Sequence, residues 1–117
     1  MISRVWHGWT RPADADTYEK MLRAEVLPGI GRIRGYLGAY LLRRDAGDEI
    51  EFITITQFED MDAVRRFAGD DLTRAVIHGP ARKLFTRFDE HSVHYETIMT
   101  PEQVRDAAAK LAQGRTT

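Results

Sequence analysis

The chain opens on Ile2-Ser3-Arg4-Val5-Trp6-His7-Gly8-Trp9-Thr10, dense in β-branched and aromatic residues, which predicts a first strand over residues 2–10. Pro12 and the Asp14/Asp16 pair then open a helix. Asp16-x-x-Glu19 has capping-box spacing, and Tyr18, Met21, Leu22 and Val26 recur at helical intervals. Pro28-Gly29 and Gly31 are the expected stop. A second strand follows over residues 35–44, and Asp45-Ala46-Gly47-Asp48 turns directly into a third over residues 49–58, so the two form a hairpin. Phe52, Thr54, Thr56 and Phe58 alternate with Ile53, Ile55 and Gln57, which places apolar residues on both faces of that strand. An antiparallel strand with one wet face alternates more cleanly, so both faces are expected to be covered.

Asp60 caps a second helix that turns Val64, Phe67 and Ala68 inward, stumbles at Gly69-Asp70-Asp71, resumes with Leu72, Ala75 and Val76, and stops at Gly79-Pro80. Leu84, Phe85 and Phe88 suggest one more packed helical turn, and residues 91–98 a fourth strand. A final helix runs from Thr100, its cap, through Pro101 to about Gln113, with a thin apolar stripe of Val104, Ala107, Ala108 and Leu111. No fixed-period repeat and no linker interrupts the chain, so residues 1–117 are expected to form a single domain with its core in residues 2–98.

The order β-α-β-β-α-β is the split βαβ pattern of ferredoxin-like α+β domains. Both helices cover one face of a four-stranded antiparallel sheet. The other face needs a second cover, and a twofold-related copy of the same sheet is the simplest one. A homodimer is therefore expected.

Composition narrows the chemistry. The 117 residues include no cysteine, which excludes disulfides, thiol nucleophiles, iron–sulfur clusters and Cys-based zinc sites, and suits a reducing cytoplasm. Seventeen basic and eighteen acidic residues are interspersed, so there is no electrostatic footprint for nucleic acid or an anionic membrane. No apolar run reaches signal-peptide or membrane-spanning length. The expected location is the cytoplasm.

Four phrases carry a resemblance: Val5-Trp6-His7-Gly8 on strand one, Gly38-Ala39-Tyr40-Leu41-Leu42-Arg43-Arg44 on strand two, Phe67-Ala68-Gly69-Asp70-Asp71 on helix two, and Val93-His94-Tyr95-Glu96 on strand four. As a set they resemble the antibiotic biosynthesis monooxygenase family of dimeric α+β barrels, over roughly residues 2–98. The resemblance implies a pocket in each subunit between sheet and helices. Some members oxygenate aromatic polyketide-type substrates there with O2 and neither metal nor flavin, while others degrade haem. The haem-degrading branch uses an Asn on strand one, a Trp on helix two and a His beyond it as iron ligand, which by position fall on His7, Phe67 and His78. The chain has no Asn and both its tryptophans lie on strand one, so only the His is matched.

Histidine titrates near neutrality unaided, which makes His7 and His78 the candidate catalytic bases. Alternation puts Trp6 and His7 on opposite sheet faces, and His7 is assigned to the pocket. Trp9, Tyr40, Phe67, His94 and Tyr95 are the candidate substrate-binding residues. His78, read at a helix C-terminus, has a structural alternative in the helix dipole. His94 lies beside strand one, where with His7 and Glu96 it is the only offer of a metal site, and none is assigned. The expectation is a cofactor-independent monooxygenase acting on a small apolar or aromatic molecule. A non-catalytic dimeric ligand-binding protein, or a haem-binding protein using His78, is the alternative.

Overall fold

In a computed structural model, residues 1–114 are described. Strand β1 (Ile2–Thr10) runs through the middle of an open antiparallel sheet in the order β2–β3–β1–β4. The hairpin expected from the Asp/Gly turn is present as β2 (Tyr36–Asp45) and β3 (Ile50–Phe58). The other edge of β1 is shared by two short strands: β4 (Phe85–Phe88) pairs with its Gly8–Thr10 end and β5 (Val93–Glu96) with its Ile2–Val5 end. The expected fourth strand is thus split. Phe85–Phe88, read from sequence as a helical turn, is a strand paired with β1; Phe85 meets both Trp6 and Phe88 edge-on, and Phe88 lies tilted to Trp6.

The first helical rod is α1 (Pro12–Met21), a π-helical turn (Leu22–Val26) and α2 (Leu27–Ile30) in continuous right-handed backbone. Two expectations fail here. Asp16 does not cap the helix, which starts at Pro12; its carboxylate instead accepts from Arg43 at 2.8 Å. Pro28 does not stop the rod, which runs on to Ile30, while Gly31 stands at its C-cap as expected. The π-turn, with Leu27 N–H bonded to Leu22 O, absorbs one extra residue just before α2.

Asp60 caps α3 (Met61–Ala68) by accepting from Ala63 N–H at 2.9 Å. The helix ends at Gly69, whose φ of 81° no helix can use, and does not resume. Residues 70–78 cross the sheet in irregular backbone, with Arg74 bridging His91, before a 3₁₀ segment (Gly79–Leu84).

Strand pairing sets which side chains share a face. Ile2, Arg4, Trp6, Gly8 and Thr10 stand beside Phe58, Thr56, Thr54, Phe52 and Ile50. This face takes the helices. Phe52 and Phe58 at its two ends are completely buried in separate clusters, the first with Ala15, Tyr18 and Leu22 of the first rod, the second with Ala63 and Val64 of α3. Gly35 lets α3 approach, since a Cβ there would stand 2.6 Å from Ala63 Cβ. The opposite face carries Val5, His7, Trp9, Ile53, Ile55, Tyr40 and Leu42 and has no helix over it. The C-terminal helix α4 (Pro101–Gly114) buries none of its residues. No helix among the described residues is long and apolar enough to cross a membrane.

Candidate active site

Along the helix-side face of β3 the side chains run Ile50, Phe52, Thr54, Thr56, Phe58. Bulky residues at both ends and threonines in the middle leave space between the two core clusters, and an open-mouthed cavity occupies that gap. Its floor is Arg4, Trp6, Thr54 and Thr56, and its walls include Leu22 and Val26 of the first rod and Phe67 of α3.

Trp6 is held as a wall. Its indole N–H donates to the Asp89 carbonyl at 2.7 Å, and its ring meets Phe85 edge-on at 5.3 Å. The indole folds back over Gly8, where a Cβ would lie 2.6 Å from the Trp6 Cη2. A glycine two residues on from Trp6 is what lets the ring lie down.

Three polar groups enter this apolar space. His78 lines it, and its Nε2 stands 2.9 Å from a carboxylate oxygen of Glu25. A carboxylate only accepts, so Nε2 carries a proton, and in the neutral ring the lone pair is on Nδ1. Glu25 belongs to the π-turn, which therefore positions the partner of the histidine. Tyr18 lines the cavity, and burial pushes its phenol well above the ordinary range, so it stays protonated. Its hydroxyl has no protein hydrogen-bond partner among the described residues, whereas every fully buried side-chain polar atom there has one. The hydroxyl therefore meets the cavity. Arg4, only 3% exposed, donates to the carbonyls of Leu72 at 2.5 Å and Arg74 at 2.7 Å and to His94 Nε2 at 2.9 Å, with Phe67 at 5.4 Å beneath its guanidinium.

Of the residues singled out from sequence, Phe67 and His78 line the cavity, and His94 abuts it through Arg4. His78 does so from extended backbone ahead of the 3₁₀ segment, not from a helix end, so the helix-dipole role falls away. His7, Trp9, Tyr40 and Tyr95 lie on the opposite face. The assignment of His7 to the pocket is corrected: strand parity gives that side to Arg4 and Trp6. His7 instead stacks on Trp9 at 6.0 Å, with Nδ1 3.8 Å from Glu51. Trp9 takes the Arg87 guanidinium at 3.9 Å, while Tyr40 and Tyr95 border a shallow groove outside the sheet. His7 and His94, on opposite faces, cannot share a metal. No group of three His, Asp or Glu able to hold one occurs among the described residues.

Sequence reasoning missed Arg4, Tyr18 and Glu25. Tyr18 left a trace, since a phenol within an apolar helical stripe needs a partner or a space. Glu25 left none, because it meets His78 across 53 residues of chain.

Solved structures share this fold. A cofactor-independent oxygenase from Streptomyces nogalater, SnoaB, in its N63A mutant form, is similar at a TM-score of 0.61 and 22% identity, covering 86% of this chain and 95% of that one. The haem degrader MhuD from Mycobacterium tuberculosis, with two haems in its active site, is similar at a TM-score of 0.55 and 20% identity over 86% and 98%. A monooxygenase from Streptomyces coelicolor, ActVA-Orf6, in complex with nanaomycin D, is similar at 0.54 and 17% over 86% and 91%. At these identities the likeness shows the fold. No curated protein matches the chain. The sequence pattern of the antibiotic biosynthesis monooxygenase family matches residues 1–78, from β1 through the cavity histidine, and the chain belongs to that family.

Proposed function

We propose that the chain is a cofactor-independent monooxygenase that oxygenates a small aromatic molecule at an activated C–H, with His78 as the base. The observation that carries this reading is the His78–Glu25 pair at 2.9 Å on the wall of an apolar cavity. A carboxylate that holds one imidazole nitrogen protonated fixes the tautomer and stabilises the imidazolium formed when the other accepts a proton.

Nδ1 takes a proton from a methylene flanked by a carbonyl or a hydroxylated ring, leaving a stabilised carbanion. The carbanion gives its electrons to O2, a C–O bond forms, and His78 returns the proton to the peroxide. Loss of the second C–H proton with cleavage of the O–O bond yields a ketone and water. One O2 is consumed and the methylene becomes a carbonyl, so no external reductant is needed. The Trp6, Leu22 and Phe67 walls offer an apolar surface to the aromatic part of the substrate, and the Tyr18 phenol can donate to the developing enolate oxygen.

A homodimer belongs to the same reading. Tyr40 and Tyr95 are 47% and 56% exposed on the helix-free face, beside Leu42 and Val93, and α4 buries none of its residues. A second copy related by a twofold axis supplies a matching apolar face.

The test is oxygen uptake with a hydroxyaromatic ketone bearing an activated methylene. A positioned base contributes about 10²–10⁴-fold, so His78→Ala is expected to lose that much turnover. Turnover unchanged in His78→Ala rules out the mechanism. A second reading, haem binding through Nδ1 of His78, draws on the likeness to MhuD and on the same unused nitrogen. A saturable Soret shift on haemin titration, lost in His78→Ala, would favour it. An unshifted Soret band would remove it.

A further inference from the structure

Among the described residues, no carboxylate answers the charge of Arg4 in the cavity. The residue is 3% exposed, yet among the described residues no carboxylate stands within ion-pair distance of it, whereas the arginines that are ion-paired lie at the surface and meet Asp or Glu. The guanidinium has five N–H donors. Three go to Leu72 O, Arg74 O and His94 Nε2, and two have no protein acceptor among the described residues. Desolvation lowers its pKa to about 10, still high enough to keep it charged at neutral pH. Carbonyl dipoles and an aromatic face hold it in place but do not neutralise it. A buried cation left in this state is unfavourable unless a partner arrives.

The surroundings are also arranged to keep that cation available. Its His94 partner must accept from Arg4 and so must be neutral, and burial together with the nearby guanidinium lowers the His94 pKa in that direction. The two carbonyls fix the plane of the fork from the irregular segment at residues 72–74. Arg4 lines a cavity whose remaining lining is mainly apolar, with Thr54, Thr56, Ser92, Tyr18 and His78 as its other polar residues.

We infer that Arg4 is the anion receptor of the cavity and that the molecule bound there is an aromatic carboxylate. The two unused N–H donors match the two oxygens of a carboxylate, a pairing for which a guanidinium is preorganised and an ammonium is not. The aromatic part then lies along Trp6 and Phe67 with its reacting carbon toward His78. This names the substrate class of the monooxygenase reading and rests on that reading's use of the same cavity.

The probe pair is 2-naphthoate and its neutral counterpart 2-naphthalenemethanol, titrated calorimetrically into the whole protein at neutral pH. The expected result is that naphthoate binds at least about tenfold tighter, the low end of what charge-assisted hydrogen bonds supply. That preference is expected to survive about 0.5 M salt, because a buried pair is screened far less than a surface one. Arg4→Met is expected to bring the two affinities together while naphthalenemethanol still binds.

Equal affinities in the wild type, a preference that collapses in salt, or a preference retained in Arg4→Met would each overturn the inference while leaving an aromatic-binding cavity intact. If neither compound binds at millimolar concentration, the cavity reading falls and this inference with it. Should Arg4→Met not fold, the wild-type selectivity and its salt dependence decide alone.

Discussion

The two faces of one sheet have nearly the same apolar content and opposite fates. On the helix side Phe52 and Phe58 are completely buried, and the threonines between them open a cavity with Arg4, Tyr18 and His78 at its surface. On the other side Val5, Ile53, Ile55, Tyr40 and Leu42 meet no helix, and the polar residues there, His7, Glu51 and Arg44, pair with one another. Burial of large side chains builds a site only where smaller ones leave a gap. Where the surface stays flat it leaves apolar side chains exposed, as at Tyr40 and Leu42. Exposure separates three arginines as well: the exposed Arg44 and Arg43 on β2, one on each face, meet carboxylates, while the buried Arg4 meets only neutral acceptors.

The sharpest way to break this comparison is to exchange its histidines. His78→Ala is expected to lower turnover about 10²–10⁴-fold, whereas His7→Ala, a surface substitution away from the cavity, should leave it within about twofold. An equal loss in both would return His7 to the mechanism. Next in size is the core itself. Phe52→Ala should destabilise the fold by about 3–5 kcal/mol, read from urea midpoints, because the ring is fully buried against Tyr18 at 4.8 Å. A loss below about 1 kcal/mol would mean that this end of the sheet is not packed as described.

Gly8→Ala sharpens the comparison at the cavity wall. Its methyl would clash with Trp6 at 2.6 Å and Phe85 at 2.8 Å, so a stability loss of about 1–3 kcal/mol is expected, together with altered Trp6 fluorescence. The smallest effect is at His94. The folded pKa lies below the ordinary 6.5, so under that pH the unfolded chain takes up a proton that the folded one refuses. Stability should therefore fall as pH drops through about 6.5 and level off above it. His94→Gln, which can still accept from Arg4, should flatten that slope.

How far this was legible in the sequence differs between fold and site. The hairpin, the Asp60 cap and the β-α-β-β order follow from turn chemistry and capping, which act over a few residues. The break at Gly69 was visible, but the apolar spacing of Leu72, Ala75 and Val76 imitates a helix that the backbone does not make. Phe85–Phe88 was misread because four residues are too few to separate a strand from a helical turn by periodicity. The site was harder. Strand parity decides whether His7 or Trp6 faces the helices, and with apolar residues on both faces of β3 the sequence offers no arbiter. Glu25 and Arg4 become functional candidates only through partners brought from distant parts of the chain.

The chain's two tryptophans sit one on each face, Trp6 in the cavity and Trp9 outside it, and their indole N–H signals in a ¹H–¹⁵N spectrum report the two faces separately. The decisive measurement is a titration with 2-naphthoate followed on those two signals, repeated across a dilution series. The account predicts that the ligand moves Trp6 and leaves Trp9 in place, while dilution toward monomer moves Trp9 and leaves Trp6. A ligand that moves Trp9 and not Trp6 would put the binding site on the wrong face and contradict the account.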